Sequence, residues 1–561
     1  MAQTQVRNVS QPDQPFMAMR VTLSTRRLVL VMAGVMLGML LSALDQTIVG
    51  TAMPRIIADL NGLEHYTWVV TAYMLGSTVM VPIYGKLSDN YGRRIFFIGG
   101  MVVFMAGSAL SGLSQTMTQL IFFRGIQGFG AAAMMPIAIA IVGDVFTPAE
   151  RAKWQGVMTA VFGLASIVGP LLGGWITDGW GWRWVFYVNL PIGLLALLVC
   201  SVALPRHSRH VEHKIDYVGA VVLIIATVPM LLAFTWAGSQ YDWASVQIIG
   251  LLAFAAVTYV GFFFLETRAV EPIISPGLFK NEIFSVSILA TFLVSIGMFG
   301  AIMYVPLFIQ GVVGDTASNS GQLMTPMMLG FMASSIVGGQ ILARTGRYKI
   351  IAGVGFAIGA FGMFMLSRMD VHATGGLVIR NMIITGLGMG VTMSLFTIVV
   401  QNAFPLSRMG EVTSSLTFFR SLGSTIGLAV LGTVMTNSFH SAFQNGMPQS
   451  LKQVLPPAQV AALQNPQILL SSEAMTKLQQ GFAAMGAQGE VLFHQLMDLT
   501  RSSLDTAITN VFFLGSVMLL LSALVTVLFL KEIPLRRSFG EAAHRAEAAP
   551  VGAPDESGAS S

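Results

Sequence analysis

Stretches of about 20 apolar residues recur along nearly the whole of this 561-residue chain, and they constrain its fold more than any other feature. A helix of that length crosses the hydrocarbon core of a bilayer, where exposed backbone can satisfy its hydrogen bonds only within a helix or a closed barrel. The stretches lack the alternation of barrel strands, so they predict helices. We count fourteen of them. The predicted fold class is therefore an all-α polytopic membrane protein.

The composition agrees, because 54% hydrophobic and 10% charged residues leave too little polar surface for a water-soluble globule of this size. Most of the 31 Lys and Arg fall in the two tails and in the even-to-odd connections, which is the positive-inside pattern. We therefore expect a multi-pass protein of the inner (plasma) membrane with both termini cytoplasmic. The net charge of +5 is then a topology signal, and no nucleic-acid partner is expected.

Two features return about 255 residues along the chain, as expected for a transporter built from internal repeats. Gly92-Arg93 follows the second stretch and Gly346-Arg347 follows the tenth, while Arg124 in the fourth stretch corresponds to Arg380 in the twelfth. The repeat predicts two six-helix bundles, with stretches seven and eight inserted between them. The predicted organisation is a cytoplasmic tail (1–27), a six-helix bundle (28–204), a linker with two extra helices (205–282), a second bundle (283–530) with an extracytoplasmic connection (437–505), and a disordered cytoplasmic tail (531–561).

Residues 471–485 within that connection read SSEAMTKLQQGFAAM and have the pattern of an amphipathic helix. The single cysteine, Cys200, lies in the sixth stretch and is interpreted as a packed apolar residue, since one thiol forms neither an internal disulfide nor a cysteine cluster. We expect no cofactor and no metal site.

Asp45 is the one acidic residue well inside an apolar stretch, since nearly all of the 26 Asp and Glu lie in tails, connections or stretch ends. An ionised carboxylate at mid-helix costs roughly 3 kcal/mol on insertion scales, so it indicates a functional site. If a proton and a cationic substrate compete for this carboxylate, alternating access forces their exchange. The alternative is a structural Asp bonded to a neighbouring helix.

A polar stripe in the fourth stretch contains Arg124, Gln127 and Met135 at helical spacing, and it is expected to face the bundle interior. Arg124 either moves against Asp45 as protonation changes or only pins helices together. A similar stripe in the thirteenth stretch begins at Arg420, and close packing with a snorkelling arginine is the preferred interpretation there.

A gating cluster is predicted after the second stretch. Gly85 lets helices approach closely, Asp89 is expected to cap the following turn, and Arg93 and Arg94 are expected to pair with acids, Asp144 being one. Such a cluster would latch the two halves on the cytoplasmic side; a plain positive-inside loop is the alternative.

The fifth stretch contains Gly169 and Pro170 among several other glycines. Because proline removes a backbone hydrogen bond and glycine permits close contact, we expect a kinked, closely packed helix that acts as a hinge or a seal.

Abundant Met (35) and Phe (36) suit a promiscuous apolar pocket, although most of them face lipid or pack. The pocket candidates are Trp68, Tyr73, Gln127, Met135, Met298, Tyr304 and Phe308.

Five segments of the chain resemble signatures of the fourteen-helix drug:proton antiporters of the major facilitator superfamily, the EmrB and QacA class. They are LDQTIVGTAMP (44–54), GKLSDNYGRR (85–94), FFRGIQGFGAA (122–132), GLASIVGPLLGGW (163–175) and WRWVFYVNLPIG (182–193). The resemblance implies a rocker-switch fold and proton-coupled efflux of lipophilic, often cationic compounds. It also implies coupling at Asp45 and gating at Asp89, Arg93, Arg124 and Pro170.

Two positions depart from the family pattern: Gly50 stands where many members have Asn, and Asn90 stands where a basic residue is usual. Some members of the family also have acids in the second half that help recognise divalent cations. Here stretches nine to fourteen offer only Asp315, Glu411 and Asp505, so we expect monovalent cations. The expected partners are protons, lipophilic small molecules and membrane lipids, and we expect a functional monomer. Export of an endogenous amphiphile, such as a lipid or a self-made antibiotic, is the alternative. The spans contain no catalytic motif, which disfavours an intramembrane enzyme.

Overall fold

The computed structural model describes residues 24–60, 66–205, 216–238, 240–313, 317–449, 451, 472–483 and 486–535. Fourteen helices within those ranges are long and apolar enough to cross a membrane, as the sequence predicted. They are α1 (Thr25–Leu60), α2 (Tyr66–Tyr91), α3 (Arg93–Leu113), α4 (Met117–Val145), α5 (Pro148–Gly179), α6 (Asn189–Ala203, preceded by one turn at Trp184–Tyr187), α7 (Tyr217–Trp236), α8 (Val246–Glu266), α9 (Glu282–Phe308, followed by a π-turn at Ile309–Val313), α10 (Ala317–Thr345), α11 (Tyr348–Leu366), α12 (Gly375–Ala403), α13 (Met409–Gly446) and α14 (Ala487–Phe529).

The connection between α2 and α3 is a single residue, Gly92, with φ of 99°. The equivalent connection between α10 and α11 contains Gly346, with φ of 68°. A residue with a Cβ rarely adopts either conformation, which explains why the glycine recurs in both repeats. The segment 85–94, expected as a loop, is helical on both sides of Gly92.

The two halves of the chain fold into two bundles with matching internal packing. In the first, α1 packs against α4, α5 and α6, and α3 packs against α4; in the second, α9 packs against α13 and α14, and α11 packs against α12. The bundles meet where α2 contacts α13 and where α5 contacts α10. These two interfaces are equivalent, since α10 repeats α2 and α13 repeats α5.

The inserted helices α7 and α8 pack on each other, with Thr227 and Tyr259 hydroxyls 2.8 Å apart. Helix α7 also contacts α2 and α13, beside the interface between the bundles. The pair therefore lies against one of the two surfaces where the bundles meet.

We call the side of the molecule on which α1 begins the near side, and the opposite side the far side. Two contacts show which helix ends share the near side. At the start of α1, the Arg27 side chain donates to the carbonyl of Ala203 at the end of α6. Just past α14, Lys531 forms an ion pair with Glu282 at the start of α9.

The predicted connection 437–505 is shorter in the structure, because α13 extends to Gly446 and α14 begins at Ala487. The predicted amphipathic helix is present as Ser472–Ala483. Its Phe482 ring lies 6.0 Å from Phe493 of α14, and that contact gives the apolar face of the short helix a partner. Residues 452–471 lie outside the described residues, as do most of the two predicted tails.

Candidate functional site

Asp45 lies in α1 with no exposed surface and is held by three donors. Arg124 of α4 donates to Oδ2 at 2.6 Å, and Gln127, one turn further along α4, donates to Oδ1 at 2.8 Å. Asn189, the first residue of α6, donates to the same Oδ1 at 2.9 Å. The carboxylate thus joins three helices, and removing one member of such a buried pair costs about 3–5 kcal/mol.

Arg124 also contacts Tyr73 of α2, whose ring lies 4.2 Å from the guanidinium carbon. The Tyr73 hydroxyl is 3.5 Å from Ser42 Oγ on α1. Tyr73 and Gln127, predicted to line a substrate pocket, therefore belong to the same buried cluster as Asp45. We call Asp45, Tyr73, Arg124, Gln127 and Asn189 the Asp45 cluster.

Asn189 was not among the predicted site residues, although it lies within the signature at 182–193. Its amide also donates to Ser108 Oγ of α3 at 3.0 Å. A polar amide within an otherwise apolar stretch is the sequence signal that could have found it, because such a group needs partners inside lipid.

A second cluster joins the two bundles on the near side. Asp89, near the end of α2, accepts hydrogen bonds from the backbone N–H groups of Gly410 at 2.8 Å and Glu411 at 2.7 Å. These groups are the first turn of α13, whose own N-cap residue, Arg408, provides no side-chain cap. Asp89 was expected to cap the turn that follows it; instead it caps a helix of the other bundle, where the helix dipole also favours a carboxylate.

Arg93, the first residue of α3, connects this contact to α4. It forms ion pairs with Asp89 and with Asp144, whose Oδ2 lies 2.9 Å from the guanidinium Nε. Its Nη1 donates to Ser88 Oγ at 2.8 Å. The predicted pairing of Arg93 with Asp144 is therefore present. We call Gly85, Asp89, Arg93, Asp144 and the α13 N-terminus the near-side latch.

Gly85 contributes the close approach that the sequence predicted. A Cβ at this position would overlap the Ser414 side chain of α13 and would lie 2.7 Å from the Gly410 carbonyl oxygen. Arg94 differs from its prediction, because it donates to the backbone carbonyls of Ser201 at 2.6 Å and Leu204 at 3.1 Å. Arg94 therefore fixes the end of α6 within its own bundle, and among the described residues it forms no ion pair with an acid.

Gly169 lies in α5 where that helix contacts α1. A Cβ there would overlap Thr47 Oγ1, a hydroxyl that donates to the Ala165 carbonyl at 3.0 Å. Pro170 follows inside α5 on an exposed face. The glycine thus permits tight packing within the first bundle, against Thr47, which lies two residues from Asp45 in the chain.

The other pocket candidates lie in three different places. Met298, Tyr304 and Phe308 are buried in the core of the second bundle, and Phe308 lies 6.3 Å from the ring of Phe512. Trp68 packs edge-on against Trp236 of α7 at 5.7 Å. Met135 of α4 faces α13, where its sulfur is 3.7 Å from Nη2 of Arg420. The structure thus does not gather the candidates around one point.

The family model described as "Major Facilitator Superfamily" matches residues 35–428, a span that contains both the Asp45 cluster and the near-side latch. The chain belongs to the major facilitator superfamily. It is 41% identical over 524 residues to "Multidrug transporter protein MdtP" of Bacillus subtilis (strain 168), and the aligned region covers 91% of this chain and 94% of that relative. It is 38% identical to "Multidrug resistance protein 3" of the same strain, over 89% of this chain and 94% of the relative.

Solved structures of this superfamily show the same fold. The proton:xylose symporter XylE aligns with a TM-score of 0.57 at 13% identity, over 91% of this chain and 98% of its own. The human organic anion transporter MFSD10 (TETRAN) aligns with a TM-score of 0.56 at 14% identity, over 88% of this chain and 99% of its own. The chain is therefore a multi-pass membrane transporter of this superfamily and not an enzyme, and its relatives in B. subtilis support a role in drug efflux.

Proposed function

We propose that this transporter exports lipophilic compounds in exchange for protons, and that Asp45 is the residue that binds the coupling proton. The observation that carries the proposal is the ion pair between Asp45 and Arg124 inside a bundle, with both side chains buried. A proton on Asp45 removes the negative charge that holds Arg124. Because a buried cation cannot stay unpaired without a large cost, protonation favours a rearrangement of α4.

Helix α4 offers a route from that event to the gate. Arg124 lies toward the far-side end of α4, whereas Asp144 lies at its near-side end, about 30 Å away along the axis. Asp144 holds Arg93, which holds Asp89 at the N-terminus of α13. A shift or rotation of α4 that relieves Arg124 would therefore also strain the near-side latch and help the bundles to rock apart.

The direction of export follows from the topology that the basic residues predict. We propose that the near side is cytoplasmic, that the protein resides in the plasma membrane, and that the near-side latch is its cytoplasmic gate. The structure then represents a conformation with that gate closed, in which Asp89 and Gly85 of α2 contact α13. Release of the latch would admit substrate from the cytoplasm.

The substrate is proposed to be a lipophilic, monovalent cation that competes with the proton for Asp45. The alternative substrate is an endogenous amphiphile, and one observation favours it. The positive charge of Arg420 lies beside Met135, a predicted pocket residue, and a positive charge there repels a cation but attracts an acidic headgroup. If an inward proton gradient did not accelerate the transport of a lipophilic cation, the proposal of proton-coupled cation export would be rejected.

The coupling role is tested by Asp45→Asn in proteoliposomes, with ethidium followed under an imposed pH gradient. Asparagine keeps the size of the side chain but binds no proton and offers the cation no negative charge, so gradient-driven ethidium transport should be lost. The matched control is Asp242→Asn, the same change at an exposed residue between α7 and α8. If Asp45→Asn still used the pH gradient to accumulate ethidium against its concentration gradient, as the control does, Asp45 would not be the coupling residue.

A further inference from the structure

Arg420 differs from Arg93 and Arg124 in having no anionic partner among the residues that the structure describes. Arg93 pairs with Asp89 and Asp144, and Arg124 pairs with Asp45. Within the described part of the chain, Arg420 forms no ion pair and lies over no aromatic ring; its guanidinium contacts the thioether of Met135 at 3.7 Å. A thioether is a weak acceptor, so most of the guanidinium donors of Arg420 lack a strong partner there.

The position of Arg420 makes this unusual. It lies about 16 Å along α13 from the first residue of that helix, close to half the thickness of a hydrocarbon core. Its contact, Met135, belongs to α4, so the guanidinium lies between the two bundles rather than inside one of them. The side chain is only partly buried, so part of it remains exposed beside the contact between α13 and α4.

The Asp45 cluster cannot supply the missing anion in this conformation. Its carboxylate is fully buried and already accepts from three donors, and Arg124, its ion-pair partner, is separated from Met135 by about 16 Å along α4. The accessible charge between the bundles is consequently positive. A cation within a membrane is stabilised when a counter-charge reaches it, and a guanidinium binds carboxylate and phosphate groups with two parallel hydrogen bonds.

The surroundings of Arg420 are apolar and soft. Phe419, its neighbour in the chain, packs edge-on against Phe279 at 5.9 Å, and Met135 offers a flexible thioether. At Gly423, one turn further along, a Cβ would approach the Phe292 backbone oxygen at 2.6 Å, so α13 and α9 pack closely behind the site. A ligand that fits this site has an acidic headgroup and an apolar chain or ring system.

We propose that Arg420 binds the acidic headgroup of an amphiphilic substrate, a carboxylate or a phosphate, whose apolar part lies between α4 and α13. The inference rests on the proposed export function. It favours the alternative substrate, an amphiphile, over the lipophilic cation, and it specifies that amphiphile as an anion. The sequence interpretation of Arg420 as a snorkelling residue that only packs helices is the competing account. Both accounts place the side chain in the same position, so they differ only in what binds to it.

Direct binding to the purified transporter in nanodiscs tests the proposal without requiring transport. The probes are dodecanoate, dodecyl phosphate and dodecyltrimethylammonium, which share one alkyl chain and differ in headgroup. Radiolabelled probes are measured by scintillation proximity, with empty nanodiscs subtracted. We expect the two anions to bind competitively with each other and more tightly than the cation. Tighter binding of dodecyl phosphate would indicate a lipid-like substrate, and tighter binding of dodecanoate a carboxylate.

Two variants separate charge from packing. Arg420→Gln should weaken anion binding roughly tenfold to a hundredfold, and Arg420→Lys, which keeps the charge, should weaken it only several-fold. Binding of dodecyltrimethylammonium should not fall in either variant. Anion binding that is unchanged in Arg420→Gln, or an equal loss for all three probes, would overturn the proposal. If Asp45→Asn left gradient-driven transport unchanged, only the coupling role of Asp45 would be rejected. The binding measurements on Arg420 therefore test this proposal separately from the coupling role.

Discussion

The close contact at Gly85 makes a quantitative prediction about the conformational equilibrium of this transporter. In Gly85→Ala, the new methyl group overlaps the Ser414 side chain and lies 2.7 Å from the Gly410 carbonyl oxygen. The latter atom belongs to the first turn of α13, which Asp89 holds in place. Overpacking of this kind costs typically about 1–3 kcal/mol. Because α2 and α13 belong to different bundles, the cost falls on the conformation in which the near side is closed.

A cost of that size, confined to one of two states, changes their population ratio by roughly 5- to 150-fold. Spin labels at Lys153 of α5 and Arg344 of α10 would measure the change. Both residues are exposed and lie near the near-side ends of these two helices, which pack against each other across the bundles. The labels are attached to cysteines in a Cys200→Ala background, which removes the one native thiol. Gly85→Ala should increase the fraction of long inter-label distances at the expense of short ones.

The matched control is Gly99→Ala in α3, where a Cβ meets no atom within 4 Å. This variant makes the same change in helix propensity without the contact. Ser414→Gly in the Gly85→Ala background removes the overlapping side chain and should restore part of the short-distance population. A distance distribution in Gly85→Ala that matches Gly99→Ala would refute the contact as a determinant of the closed state.

Two further predictions concern the contacts around the two clusters. Asp89→Asn keeps one acceptor for the α13 N-terminus but loses the negative charge, and Asp89→Ala loses both. Since hydrogen bonds to charged groups contribute about 1.5–3 kcal/mol, the distances between the spin labels should lengthen in the order wild type, Asp89→Asn, Asp89→Ala. Equal effects of the two variants would contradict the capping role. Gly169→Ala places a methyl group against Thr47 within one bundle, at a cost of about 1–3 kcal/mol. It should therefore lower the melting temperature of the detergent-purified protein without opening the near side, and the double variant with Thr47→Ala should recover part of the loss. An unchanged melting temperature would contradict the packing inferred at this contact.

The sequence by itself determined the number of membrane helices and the repeat that relates the two bundles. Both follow from constraints that act locally along the chain. A bilayer requires about 20 apolar residues for each crossing, and the glycine turns at Gly92 and Gly346 require positive φ. The prediction of Asp45 as a buried acid follows in the same way, because its position deep inside an apolar stretch can be read from the sequence alone.

The partners of the polar residues were decided by the tertiary structure. Asp89 caps α13, which lies more than 300 residues away in the chain, and Asn189 reaches Asp45 from α6. Arg94 pairs with carbonyls instead of acids, and Tyr73 packs on Arg124 instead of lining an open pocket. Helical spacing shows which residues share a face, but it carries no information on which other helix that face meets. Within lipid that choice is made by close packing and by the need of each buried polar group for a partner, and both depend on the assembled bundles.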